Sequence, residues 1–182
     1  MAKALAMAEF TTVSTGMRAA DIMIKTAEVN VIEAEVVCPG KYIILIEGEL
    51  SAVKASIDAV KTMFPEKLID SFVLGNPHDT IFPALYGSTD IKDKRALGIL
   101  ETYSAASIIA AADIAAKTAI VDLIELRVAR GMCGKSYMLL TGEVAAVESA
   151  IEKAKREVSD GTMFLDSSVI ASPDEKMWNT II

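Results

Sequence analysis

Cysteine occurs twice in these 182 residues, histidine and tryptophan once each, and aromatic residues make up only 5%. An iron–sulfur cluster held by one chain needs about four thiolates at characteristic spacing, and two cysteines 95 positions apart do not supply them. The lone His78 has no Cys, Asp or Glu pattern around it, so a zinc or catalytic role is not expected of it. Basic residues are the minority, 18 against 25 acidic, and no basic cluster interrupts the net charge of −7, which argues against nucleic acid as a partner. No apolar run approaches the ~20 residues of a membrane span, so no membrane association is expected. Lys3 is followed by a short apolar run, then Glu9 and a helical pattern, which is not the plan of an export signal. Reduced thiols in the cytosol are the corresponding expectation. A nucleophile–base signature, a Walker loop and a dinucleotide fingerprint are also missing. The stretch Gly131-Met132-Cys133-Gly134-Lys135-Ser136 has the ending of a phosphate loop but not its first glycine, and it leads into a strand rather than a helix. No enzyme is expected.

What is present is apolar content, 52% of the chain, arranged twice. At an offset of 92, Ala4-Leu5 falls on Ala96-Leu97, Glu9 on Glu101, Asp21 on Asp113, and Lys25-Thr26-Ala27 on Lys117-Thr118-Ala119. Beyond residue 38 the offset becomes 94, and Gly40-Lys41 falls on Gly134-Lys135 and Gly48-Glu49 on Gly142-Glu143. At 96, Asp70-Ser71 meets Asp166-Ser167 and Pro77 meets Pro173. This is a tandem duplication. It divides the chain into units at residues 1–87 and 96–182, joined by a polar linker at 88–95. Units of about 90 residues leave much apolar surface uncovered, so partners that cover it are expected.

In the first unit, residues 3–11 read as a strand. A helix follows from Gly16 to Glu28, with Met17, Ala20, Ile24 and Ala27 spaced for one apolar face. Residues 29–37 alternate as a strand, Cys38-Pro39-Gly40 breaks it, and residues 42–47 form a buried strand. A helix begins near Ser51, a suitable N-cap, and runs to about Phe64; a strand at 68–74 and a short helix opened by Asn76-Pro77-His78-Asp79 complete the unit. The second unit repeats the order with strands at 96–103, 121–129, 136–141 and 163–170 and helices at 105–118, 145–158 and from Pro173. The low-charge stretch from Thr102 to Ala112, with Ala and Ser at helical spacing, reads as a helix packed tightly against another element or subunit. The fold class is α+β: two ferredoxin-like units, each an antiparallel sheet with helices on one face.

The offset first changes at the loop carrying Cys38. A cysteine is usually a small buried apolar residue, but a Pro-Gly turn favours an exposed sulfur. Cys133 lies in the equivalent loop, which is two residues longer; it reads as an incidental thiol, a second ligand, or a resolving thiol for Cys38. The pairs Asp21/Lys25 and Asp113/Lys117 are spaced i,i+4 and are consistent with solvated ion pairs on helix faces.

The stretches Ala96-Leu97-Gly98-Ile99-Leu100-Glu101, Lys117-Thr118-Ala119, Gly134-Lys135 and Gly142-Glu143-Val144-Ala145-Ala146-Val147 resemble a bacterial microcompartment shell domain. The first unit matches the same pattern, so two such domains are fused. Val37-Cys38-Pro39-Gly40-Lys41, Asp70-Ser71-Phe72-Val73-Leu74 and Pro173-Asp174-Glu175-Lys176-Met177-Trp178 resemble the cysteine-bearing tandem branch found in propanediol-utilisation compartments. The resemblance implies a homotrimer forming a pseudohexameric ring that tiles the shell with other shell proteins. It implies a central pore lined by Val37, Cys38, Pro39, Gly40, Met132, Cys133 and Gly134, and contact between rings through Lys25 and Lys117. It further implies one 4Fe–4S cluster per trimer on the threefold axis, ligated by Cys38 from three chains. Electrons would then cross the shell, with a lumenal redox enzyme as a further partner. The alternative is a plain metabolite pore with no cluster.

Overall fold

The computed structural model describes residues 4–91, 94–159 and 162–181. The first half runs β1 (Ala4–Phe10), α1 (Val13–Thr26), β2 (Val29–Val37), β3 (Lys41–Gly48), α2 (Leu50–Met63), β4 (Leu68–Leu74) and α3 (Ile81–Leu85). The second runs β5 (Ala96–Thr102), α4 (Ala105–Thr118), β6 (Val121–Val128), β7 (Ser136–Gly142), α5 (Val144–Ser159), β8 (Phe164–Ile170) and α6 (Glu175–Ile181). Each half forms a four-stranded antiparallel sheet, in the orders β2-β3-β1-β4 and β6-β7-β5-β8. This is the expected split βαβ plan. The duplication extends to the irregularities: pairing slips between Val31 and Glu33 and again between Leu123 and Glu125. It slips also between Glu9 and Phe10 and between Glu101 and Thr102.

The central strands β1 and β3 read as unbroken apolar runs because both faces of their sheet are covered. Ala4, Ala6, Ala8, Phe10, Ile44 and Ile46 pack under Ala19 and Met23 of α1 and Val53, Ile57 and Val60 of α2. On the other face Leu5, Met7, Ile43 and Leu45 join a core that continues through Ile81 and Leu85 of α3 into α4, β6 and β7 of the second half. The halves therefore share one apolar core. The corresponding outer face of the second sheet carries Leu97 and Ile124 under Trp178 of α6. Among the described residues no helix is long and apolar enough to cross a membrane.

Several local expectations are corrected. Helix α1 begins at Val13, not at Gly16, which lies inside it. Gly16 is there for close approach: a Cβ would stand 2.4 Å from that of Tyr42. The buried residues of α1 are Gly16, Ala19 and Met23, while Met17 and Ile24 of the expected inward stripe are exposed. The N-cap of α2 is Glu49, in extended backbone, and Ser51 sits within the first turn. Helix α3 begins at Ile81, three residues after His78, whose backbone N–H is used elsewhere. The alanine-rich α4 is packed as its composition demands, with nine residues buried along its length, which leaves it no solvent face to speak of.

Candidate functional site

The two loops singled out by the duplication meet. Gly40 turns the first, with φ +106° and its N–H donating to the Val37 carbonyl at 2.9 Å. Only glycine takes that backbone without strain. Strand β3 then opens on Lys41, whose side chain crosses to the second loop. Its ammonium donates to Glu9 at 2.9 Å, to the Tyr103 carbonyl at 3.1 Å and to the Gly134 carbonyl at 3.2 Å. Gly134, at φ +87°, is pressed so closely that a Cβ would lie 3.1 Å from the Pro39 ring and 3.0 Å from the Lys41 stem. The neighbours of Cys38 and of Cys133 are thus in contact, and both cysteines are free thiols, Cys38 partly buried and Cys133 exposed.

The second loop has its own backbone signature, with Ala129, Gly131, Cys133 and Gly134 all at positive φ. Cys133 at +52° occupies the left-handed region, which a cysteine adopts only when its surroundings impose it. Pro39, Gly40 and Cys133 stand at the surface and Met132 is half-buried. Val37 and Gly134 are buried and support the loops from behind, whereas Val36 is exposed.

Behind the loops an ion-pair cluster ties β2 to the second half. Arg130 donates to Glu35 at 2.7 Å and to Glu33 at 2.8 Å. Burial works against the Arg130 guanidinium, but its bonds to Glu33 and Glu35 outweigh it and its pKa lies above the ordinary arginine value. Burial, assisted by the charge of Glu33, pushes the nearby Tyr86 phenol up. Sequence reading missed this cluster and the Lys41 bridge; the only signal was acidic residues alternating along an otherwise apolar strand.

The repeated Asp/Lys pairs prove unequal. Asp21 and Lys25 form an exposed ion pair at 2.7 Å, as expected. Asp113 is buried: it accepts from the His78 backbone N–H at 2.7 Å and from Lys117 at 2.6 Å, so the second pair is not a solvated one. Lys117 also donates to the Asn76 carbonyl at 2.6 Å. His78 itself faces Thr80, 2.8 Å from its hydroxyl.

Among the described residues no three His, Cys, Asp or Glu side chains gather into a group that could hold a metal. A cluster bound by thiolates fits this chain only as one corner of a site completed by other copies. The free thiols that could supply such a corner are Cys38, at an exposed turn, and Cys133 in the loop that touches it.

The family model of the BMC domain matches residues 4–77 and 96–173. The chain belongs to the BMC-domain family. Its domains are a tandem pair, and its role is structural rather than catalytic. The sequence is 35% identical, over the whole chain and 99% of the relative, to the bacterial microcompartment shell protein PduT of Citrobacter freundii. The crystal structure of a microcompartments protein from Desulfitobacterium hafniense covers 98% of this chain and 99% of its own, with 42% identity and a TM-score of 0.84. A fused, permuted hexameric shell protein of the RMM microcompartment matches at TM-score 0.66 over 87% of this chain and 82% of its own. At 21% identity that likeness concerns the fold alone. This BMC tandem is thus a microcompartment shell protein of the PduT type.

Proposed function

We propose that the chain is the subunit of a homotrimeric shell tile with a central pore, placed in the shell of a bacterial microcompartment in the cytoplasm. The pore is lined at its narrowest by Cys38, Pro39 and Gly40 with Met132 and Cys133, while Val37 and Gly134 support them. Three Cys38 thiolates, one from each chain, would hold a single 4Fe–4S cluster.

The observation that carries this reading is the contact of the two loops at Gly134, with Cys38 at an exposed turn beside it. A duplicated chain gives six loops around an axis from three copies, three of each kind, so the Cys38 position occurs three times. Three thiolates close together repel one another, and a core of positive iron relieves that repulsion, the usual coupling of thiol deprotonation to metal binding. When bound, such a cluster supplies one-electron transfer, so the tile passes electrons across the shell to or from a lumenal redox enzyme. The chain's own part is to hold the turn: Lys41 fixes one loop against the other through Glu9 and Gly134. Other shell proteins are its neighbours in the layer, with Lys25 and Lys117 at the contacts between rings.

Iron and sulfide analysis of protein purified without oxygen, with its mass from light scattering, tests the reading. About one cluster for every three chains is expected. A trimer with no iron and no visible absorption overturns the cluster and leaves the plain metabolite pore.

A further inference from the structure

The two halves differ at the corner where their paired helices meet. In the first half the corner between α1 and the end of α2 is filled. There the Arg18 guanidinium lies over the Phe64 ring, its carbon 5.3 Å from the ring centroid. In the second half the counterparts of Arg18 and Phe64 are Ala110 and Val158. Both replacements are short, and a cleft of about 280 Å³ stands in this corner with Ala110 and Val158 in its wall.

The first half closes one side of the cleft. Asp70, Ser71 and Phe72 of β4 line it, together with Ser107 and Ile114 of α4 and Met163. The cleft is therefore complete within one chain. Its other charged residue, Glu157, is exposed and already paired with Lys153 at 2.6 Å. Among the described residues that line it none is basic.

Asp70 is the group this arrangement leaves short of a partner. One of its oxygens accepts from the Ser104 and Ser107 hydroxyls, each at 2.5 Å, and the other from the Ser71 N–H at 2.8 Å. All three donors are neutral, and among the described residues no cation pairs with Asp70. A carboxylate has about four acceptor sites, so one remains. A cationic donor makes the stronger bond there, because hydrogen bonds between ionised groups are about twice as strong as neutral ones.

We propose that this cleft binds the arginine side chain of another polypeptide. Its guanidinium lies between Asp70 and Phe72, as that of Arg18 lies over Phe64 in the first half. A guanidinium suits the site better than an ammonium, since its flat, weakly hydrated face stacks on aromatic rings while its edge donates to a carboxylate. Ala110, Ile114 and Met163 give the aliphatic stem an apolar wall. Size favours one side chain over a whole metabolite: pockets that enclose small ligands run to about 300–1,000 Å³, and this one falls just short of that range. Neither the ring nor the cluster is needed for the site.

Methyl NMR of the full chain, labelled at methionine and titrated with the blocked peptide acetyl-Gly-Arg-Gly-amide, tests it. The Met163 methyl signal should shift and saturate. Asp70→Asn keeps an acceptor oxygen and should weaken binding by about tenfold or more, the usual loss for a hydrogen bond between charged groups. Ala110→Arg, which returns the side chain of the first half to the second, should abolish the shift while the chain melts as the wild type does. The matching lysine peptide should bind more weakly, and the norleucine peptide should leave the signal where it is. The proposal is overturned by a wild-type signal that never saturates, by equal affinity for the norleucine peptide, or by an Ala110→Arg variant that still binds. Methylguanidine binding as tightly as the peptide would overturn the polypeptide as occupant in favour of a free small cation. Each result is read at whatever mass the chain has in solution, so failure here leaves the ring and the cluster to their own tests.

Discussion

The Lys41 ammonium sits 2.9 Å from a carboxylate of Glu9 whose side chain has no solvent exposure. The pair lies where the halves meet, with Glu9 also bound to the Ala105 N–H and Lys41 to two carbonyls of the second half. Removing the cation leaves a buried charge uncompensated, the costly way to break such a pair. Lys41→Met should therefore lower unfolding stability by about 3–5 kcal/mol, while Glu9→Gln, which keeps an acceptor for Ala105, should cost less. Chemical denaturation monitored by circular dichroism measures both. Equal losses would mean that the carboxylate charge is not what the lysine satisfies.

Cys38→Ser should abolish iron, acid-labile sulfide and visible absorption together while leaving the mass from light scattering unchanged. Cys133→Ser should retain most of the iron. Anaerobic metal analysis of both variants decides between the loops. Loss of iron in Cys133→Ser with retention in Cys38→Ser would assign the ligand to Cys133 and overturn the choice of Cys38.

The duplication, the order of elements and the family resemblance were legible because they are written in residue spacing: repeated Asp, Lys and Gly-Lys positions at fixed offsets survive any packing. What was not legible depended on which copy of a residue finds a neighbour. Asp21 and Asp113 look alike in sequence, and only the fold shows that the segment between β4 and α3 reaches one and not the other. Met17 and Ile24 looked inward because apolar spacing marks a face and not its destination; here the core takes Gly16, Ala19 and Met23. Ser51 had the right chemistry for a cap but stands two residues inside the turn that Glu49 begins. The Lys41 bridge escaped notice because its partners lie as far away in the chain as Gly134.

Tyr137 should set an alkaline limit to stability. Burial, together with its hydrogen bond to Glu125 and that residue's charge, pushes its phenol up to about 12 from 10.0. The folded state then holds its proton more tightly than the unfolded state. The contribution is complete below pH 10 and is lost as pH rises toward 12. Tyr137→Phe should flatten the fall in melting temperature across that window. An unchanged slope would show that the phenol does not titrate differently in the two states.

Lys25 and Lys117 should respond differently to the same reversal of charge. Among the described residues Lys25 pairs with the exposed Asp21 alone, a solvated contact worth about 0.3–0.5 kcal/mol on a helix surface. Lys25→Asp should accordingly fold normally and retain the trimer mass. Placing like charges at the rim should nevertheless stop trimers from associating edge to edge, so that extended sheets or tubes disappear from electron micrographs. Lys117 is held by the buried Asp113 and by the Asn76 carbonyl. Lys117→Asp would set one carboxylate against another and release the start of the α3 segment, so it should lower the melting temperature of the chain itself. Sheets that persist in Lys25→Asp would remove this lysine from the contact between rings. A Lys117→Asp variant as stable as the wild type would show that its bonds between the halves contribute nothing.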